Sequence, residues 1–178
     1  MTDEAGTHAR MVETYPLGAD GPFPGNPNCP LLVYRAALAL AGDAAAECER
    51  LFARHGWSGG WRDGVYPYHH FHSNAHEALG FVAGSARVRF GGPNGPVVEV
   101  AAGDVVVIPA GVAHKKESAT PDLLVIGAYA EGRGPDLRRG RPEERESVLR
   151  NVEQVPLPEA DPVLGAAGPL RRRWRPQG

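Results

Sequence analysis

The chain has 178 residues and a formal net charge of −2. That length fits one domain with a sizeable core, and the weak charge offers no basic field to a polyanion, which excludes nucleic acid as a default partner. Its 23 glycines and 17 prolines take nearly twice their usual share of roughly 12% and exclude a helical bundle, because both residues break helices.

A hydrophobic fraction of 42% still allows a packed core, so a turn-rich, mainly β domain is expected. No apolar run reaches the ~18 residues of a membrane helix. The first residues lack the basic head and apolar stretch of a signal peptide. A cytoplasmic protein is expected, with no membrane partner.

In chain order, residues 1–15 read as a flexible N-terminal tail. Residues 16–62 read as an N-terminal arm and helix packed on the domain. Pro16, Pro22, Pro24, Pro27 and Pro30 make the arm extended and deny it a helix. Leu31–Arg35 reads as a strand. Asp43–His55 reads as a helix, with Asp43 as its N-cap and Cys48, Leu51 and Phe52 on one apolar stripe. Trp57 and Trp61 follow in a Gly-rich loop and are expected to pack over the core. Cys29 and Cys48 read as small buried side chains, since two isolated thiols make no disulfide framework.

Residues 63–130 change texture. Phe81–Phe90 is broken by a turn at Gly84-Ser85, and GGPNGP at 91–96 is a second turn. Val97–Val100, Val105–Ile108 and Leu123–Tyr129 read as further strands. Short strands at this spacing imply a sandwich or small barrel. Residues 131–178 read as a C-terminal extension: a solvated charged segment, a short helix over Glu143–Arg150, a Pro-rich stretch, and a surface tail anchored by Trp174.

The histidines carry the chemical signal. His69, His70, His72 and His76 fall within eight residues, and His114 follows later. Alternate side chains of a strand share a face. His70 and His72 therefore point one way, and His69 and Phe71 the other. Ser73-Asn74-Ala75 can turn the chain and return Glu77 to the same interior. His114 follows a buried-looking strand and a Pro-x-Gly turn. The spacing leaves two readings open: a shared metal site, or scattered structural and surface histidines.

Two longer patterns bear on that choice. Gly64-x5-His70-x-His72-x4-Glu77-x6-Gly84 resembles the first cupin motif at every fixed position. Gly103-x5-Pro109-x-Gly111-x2-His114 resembles the second, with Ser118 where Asn is usual. The chain resembles a single-domain cupin, and more narrowly the YjlB-like cupins. LLVYR, LFARHGW, HHFHSNAHE, GDVVVIPAGVAH and the tail VPLPEADPVLGAAGPL carry that likeness over most of residues 20–174.

The resemblance implies a small antiparallel β-barrel of jelly-roll type, carrying an N-terminal helix and extended Pro-rich arms. It implies that His70, His72, Glu77 and His114 bind one divalent metal ion. Such a mixed donor set suits Fe(II), Mn(II), Ni(II), Zn(II) or Cu(II). His69 and His76 are assigned outer positions. The resemblance also implies a homodimer that exchanges N-terminal arms.

Strand parity names the rest of the pocket. Tyr66 and Tyr68 share parity with His70 and His72, and Leu79 and Phe81 share parity with Glu77. All four are expected to line a small, largely apolar pocket, with Tyr68 as the catalytic acid or hydrogen-bond donor. The expected function is a metal-dependent enzyme acting on a small-molecule substrate, with dioxygenase-like oxidoreductase chemistry. The alternatives are a metal-assisted isomerase or lyase on a sugar or keto acid, and a binding cupin without turnover.

Overall fold

The computed structural model describes residues 12–177. Residues 1–11, most of the expected tail, lie outside them. The tail reading stops short at its other end, because Val12–Leu17 is a strand, β1. It pairs antiparallel with β2, Asn26–Tyr34. The ladder breaks between Tyr15 and Leu17, where Pro16 has no N–H to give. Pro27 and Pro30 are tolerated in β2 for a related reason. Residues 27–30 fall in the gap between the Leu17–Asn26 and Tyr15–Leu31 pairs. Much of the arm read as lying over the surface is therefore sheet.

Helix α1 covers Ala44–Arg54, and the Asp43 carboxylate accepts from the Ala46 N–H at 3.0 Å. Cys48 and Phe52 are buried beneath it. The remaining strands are β3 (Trp57–Asp63), β4 (Glu77–Ala83), β5 (Ser85–Phe90), β6 (Val97–Ala101), β7 (Val105–Ile108), β8 (His114–Ala119) and β9 (Leu124–Ala130). The Gly-rich WSGGW segment, expected as a loop, is thus a strand along β9. Gly60 permits this, since a Cβ there would stand 1.8 Å from the Gly127 carbonyl oxygen. The expected turn between β4 and β5 falls at Gly84, in the left-handed region with φ +72°.

Six strands form one antiparallel sheet in the order β1-β2-β7-β4-β9-β3, and three form a second in the order β6-β5-β8. The larger sheet is buried on both faces, which is why β7 reads as an unbroken apolar run. Val105 and Val107 join the outer cluster with Cys48, Phe52, Trp57 and Trp174. Val106 and Ile108 join the inner cluster with Leu79, Phe81, Val88 and Val98, which lies between the two sheets.

After β9 the chain passes a short 3₁₀ turn, Pro142–Glu144, then α2 (Arg145–Gln154) and α3 (Leu170–Arg173). Trp174 is buried against the outer face, and its Nε1–H donates to the Pro30 carbonyl at 2.8 Å. Among the described residues, no helix is long and apolar enough to cross a membrane.

Candidate metal centre

The first histidines lie on an extended segment between β3 and β4. Reciprocal backbone hydrogen bonds tie His70 to His114, at 3.2 and 2.9 Å, and Phe71 to Arg138, at 3.0 and 2.9 Å. The alternation expected of this stretch holds locally. His69 and Phe71 face Phe23, at ring separations of 5.3 and 6.1 Å, while His70 and His72 face inward. Glu77 opens β4 and pairs with Ile108 and Tyr129. His114 opens β8 opposite Phe90. The His72 carbonyl accepts from the Gly111 N–H at 2.8 Å, so the second motif clamps the first.

His72, Glu77 and His114 each offer a donor atom, and these atoms lie within 4.8 Å of one another. Glu77 Oε2 stands 3.2 Å from His72 Nε2 and 3.3 Å from His114 Nε2. His70 stands beside this group, with its ring 4.1 Å from that of His114 and 6.2 Å from that of His72. The structure thus brings three of the four expected ligands within one bonding span and places the fourth alongside them.

Each imidazole is oriented by a backbone carbonyl at Nδ1: Tyr68 for His70 at 2.9 Å, Asp136 for His72, and Val112 for His114 at 3.4 Å. A carbonyl can only accept, so Nδ1 carries the proton and Nε2 presents its lone pair. Burial lowers the His70 pKa to about 3 and keeps the ring neutral. Burial also opposes charge on His72, but the Glu77 carboxylate outweighs it and raises its pKa. Burial likewise works against the Glu77 charge, and His72 and His114 together bring its pKa below the usual range.

Glu77 Oε2 is buried and has no hydrogen-bond partner. A buried carboxylate oxygen without a partner is costly. This one faces two nitrogen lone pairs, so a proton or a cation between them is needed to relieve the contact. The donor set therefore fits a divalent cation.

The group opens onto a cavity of about 530 Å³. Tyr66 and Leu79 line it, as their parity suggests. Tyr68 and Phe81 are not on its wall. Tyr68 stacks on Tyr66 at 5.0 Å, and the Arg139 guanidinium lies 3.9 Å over its ring. Residues 67–68 form a bend and not a strand, so the alternation seen at His70 and His72 does not extend back to Tyr68. Phe81 fills the inner core instead. His76 faces the outer side, 4.7 Å from the Trp174 ring, and accepts from the Ala110 N–H at 2.9 Å.

Tyr129 and Asp136 are among the wall residues that the sequence does not mark. Tyr129 lines the cavity beside Glu77, and its oxygen accepts from Trp61 Nε1–H at 2.9 Å. Burial, then the Glu77 charge, pushes its phenol pKa up. Asp136 lies on a strap that closes one side, held by the Ser73 N–H at 2.7 Å, the Ser73 hydroxyl and the Arg138 guanidinium at 2.8 Å.

A cupin family model matches residues 63–134, which include all four histidine and glutamate positions. The uncharacterized protein YjlB of Bacillus subtilis (strain 168) is 45% identical over 165 residues, 93% of this chain and 98% of its own length. The chain belongs to the cupin family. Solved structures similar to this cupin include an oxalate decarboxylase of Bacillus subtilis, 18% identical with a TM-score of 0.35 over 62% of this chain. Procruciferin, an 11S globulin of Brassica napus, is 19% identical with a TM-score of 0.37 over 54%. The cupin spans 22% and 29% of the lengths of those two chains.

Proposed function

We propose that this cupin is a metal-dependent enzyme that oxidises a small molecule with O2, using His70, His72, Glu77 and His114 to hold one divalent ion. The observation that carries this reading is the partnerless Glu77 Oε2 between two imidazole Nε2 atoms, at the base of a cavity open to solvent. When bound, the ion supplies a Lewis acid with coordination positions left over for small ligands.

The protein's own groups supply the rest. The three Nδ1-to-carbonyl hydrogen bonds aim the imidazoles before any ligand arrives. Tyr129 accepts a hydrogen bond from Trp61, so its own hydroxyl proton is directed toward the Glu77 side of the cavity. Leu79, Trp61 and Leu137 line the wall and exclude water from a bound carbon skeleton.

Two measurements test the reading. Metal analysis of the purified chain is expected to find about one divalent ion, sharply reduced in His114→Ala; an unchanged content in that variant refutes the centre. Turnover of small organic substrates, screened in air and under argon, is expected to require O2. Turnover undiminished under argon would replace the oxidase reading with an isomerase or lyase.

A further inference from the structure

The proposed centre fixes where chemistry happens, and the rest of the cavity wall fixes what the site accepts. Lys116 bears on that choice, and the inference rests on the proposed centre. It stands two residues after His114 on β8, so both side chains share one face of the strand, and both line the cavity. The Lys116 N–H donates to the Tyr66 carbonyl at 2.9 Å, which fixes this part of β8 against the segment leading to His70.

The chain has only two lysines, Lys115 and Lys116. Lys115 pairs with Glu117 at 3.6 Å. The Lys116 ammonium has no ion-pair or hydrogen-bond partner among the described residues. The acidic groups on the same wall do not compensate it. Asp136 is neutralised by Arg138. Asp63 is exposed and accepts from the Gly64 N–H at 2.8 Å. Glu77 belongs to the centre. Lys116 is a half-buried residue, and a charge beside a cavity wall is screened less than one in open water, so the cavity favours an anion.

We infer that Lys116 is the substrate-anchoring residue of this site and that the substrate is a small organic acid. Its carboxylate meets the ammonium, and a second oxygen turns toward His72, Glu77 and His114. The apolar wall at Leu79, Trp61 and Leu137 takes the carbon skeleton. A volume of about 530 Å³ holds the ligand to metabolite size.

Trp61 provides a direct probe. It is half-buried and lines the cavity, whereas Trp57 and Trp174 are 1% and 3% exposed. Collisional quenching of tryptophan fluorescence therefore reads the cavity. Iodide quenching is expected to fall in Lys116→Met and persist in Lys116→Arg, with quenching by neutral acrylamide unchanged in both. In parallel, the Zn(II)-loaded full chain is titrated calorimetrically with lactate, malate and citrate and with their neutral amides. At least one acid is expected to bind. Lys116→Met is expected to weaken that acid about tenfold, the scale of a lost charge-assisted hydrogen bond, and to leave its amide unaffected.

Unchanged iodide quenching, an equal loss for acid and amide, or failure of all three acids to bind overturns the inference. Zinc content is measured on the same samples. A chain that holds no zinc refutes the centre itself, whereas a zinc-loaded chain blind to ligand charge refutes only the role of Lys116.

Discussion

Asp161 and Glu77 are both shut away from solvent, at 0% and 2% exposure, yet they keep opposite company. Asp161 lies on the outer side of the large sheet among donors. The Tyr34 hydroxyl donates to Oδ2, the N–H groups of Val163 and Leu164 reach Oδ1 at 2.8 and 3.0 Å, and that of Leu170 reaches Oδ2 at 3.2 Å. Burial, then the Asp161 charge, raises the Tyr34 pKa and keeps the phenol a donor. Glu77, on the inner side, presents an oxygen with no donor at all. Burial is common to the two, so burial does not mark the functional group. The missing donors do. A charge met by donors ties the C-terminal extension to β2; a charge met by lone pairs calls for a cation.

That contrast is most strongly tested by removing each carboxylate. Glu77→Gln is expected to lower metal affinity by more than about 100-fold, beyond the range for outer partners, with little change in the unfolding free energy of the metal-free chain. Asp161→Ala is expected to do the reverse. It strands three backbone N–H groups and a phenol, costing about 3 kcal/mol or more, while the folded fraction keeps its metal. Calorimetric metal titration and urea unfolding of both variants read the two effects separately. Metal loss from folded Asp161→Ala would erase the distinction.

A smaller effect is expected at Asp136, which holds His72 through its own carbonyl while its side chain is fixed by Ser73 and Arg138. Asp136→Ala loosens the strap and leaves every donor atom in place. Metal affinity should fall about tenfold, measured by the same titration.

Acid should release the metal as well. His72 takes a proton more readily than His70, because Glu77 raises its pKa, while His70 stays neutral down to about 3. In the metal-free chain, the stabilising attraction of protonated His72 for Glu77 is present at low pH and is lost as pH rises through the raised value. Metal binding runs the other way, since the ion displaces that proton. Metal affinity measured from about pH 7.5 to about pH 5.5 should fall with pH, across the ordinary histidine range.

Much of this arrangement is legible in the sequence where local rules suffice. The Asp43 cap, the Gly84 turn and the apolar run of β7 each follow from a few adjacent residues. The motif spacing marks His72, Glu77 and His114. What local rules miss depends on partners distant in sequence. β1 is a strand only because β2 pairs with it. WSGGW is a strand only because β9 lies beside Gly60. Tyr129 reaches the cavity through its pairing with Glu77. Asp136 sits in a charged segment whose composition suggests solvent, and its role comes from Ser73, 63 residues away. Tyr68 shows the converse failure, a strand parity carried back from His70 into the bend at residues 67–68.

The subtlest test separates the two faces of the sheet without touching a charge. Gly127 lies on the cavity side of β9, and the Trp61 indole crosses directly over it. A Cβ at residue 127 would come within 2.2 Å of Trp61 Cε2. Gly80 is its counterpart on the outer side of β4, where a Cβ would stand 2.3 Å from Cys48 Sγ. Both Gly127→Ala and Gly80→Ala overpack a close contact, at a cost of about 1–3 kcal/mol each. Neither removes a ligand, so both should keep their metal. Only Gly127→Ala forces Trp61 to tilt and to release its hydrogen bond to Tyr129. Tryptophan emission and iodide quenching should therefore shift in Gly127→Ala and stay unchanged in Gly80→Ala, at similar losses of stability in urea. Equal optical changes in the two variants would show that Trp61 reports general loosening of the fold and not the cavity.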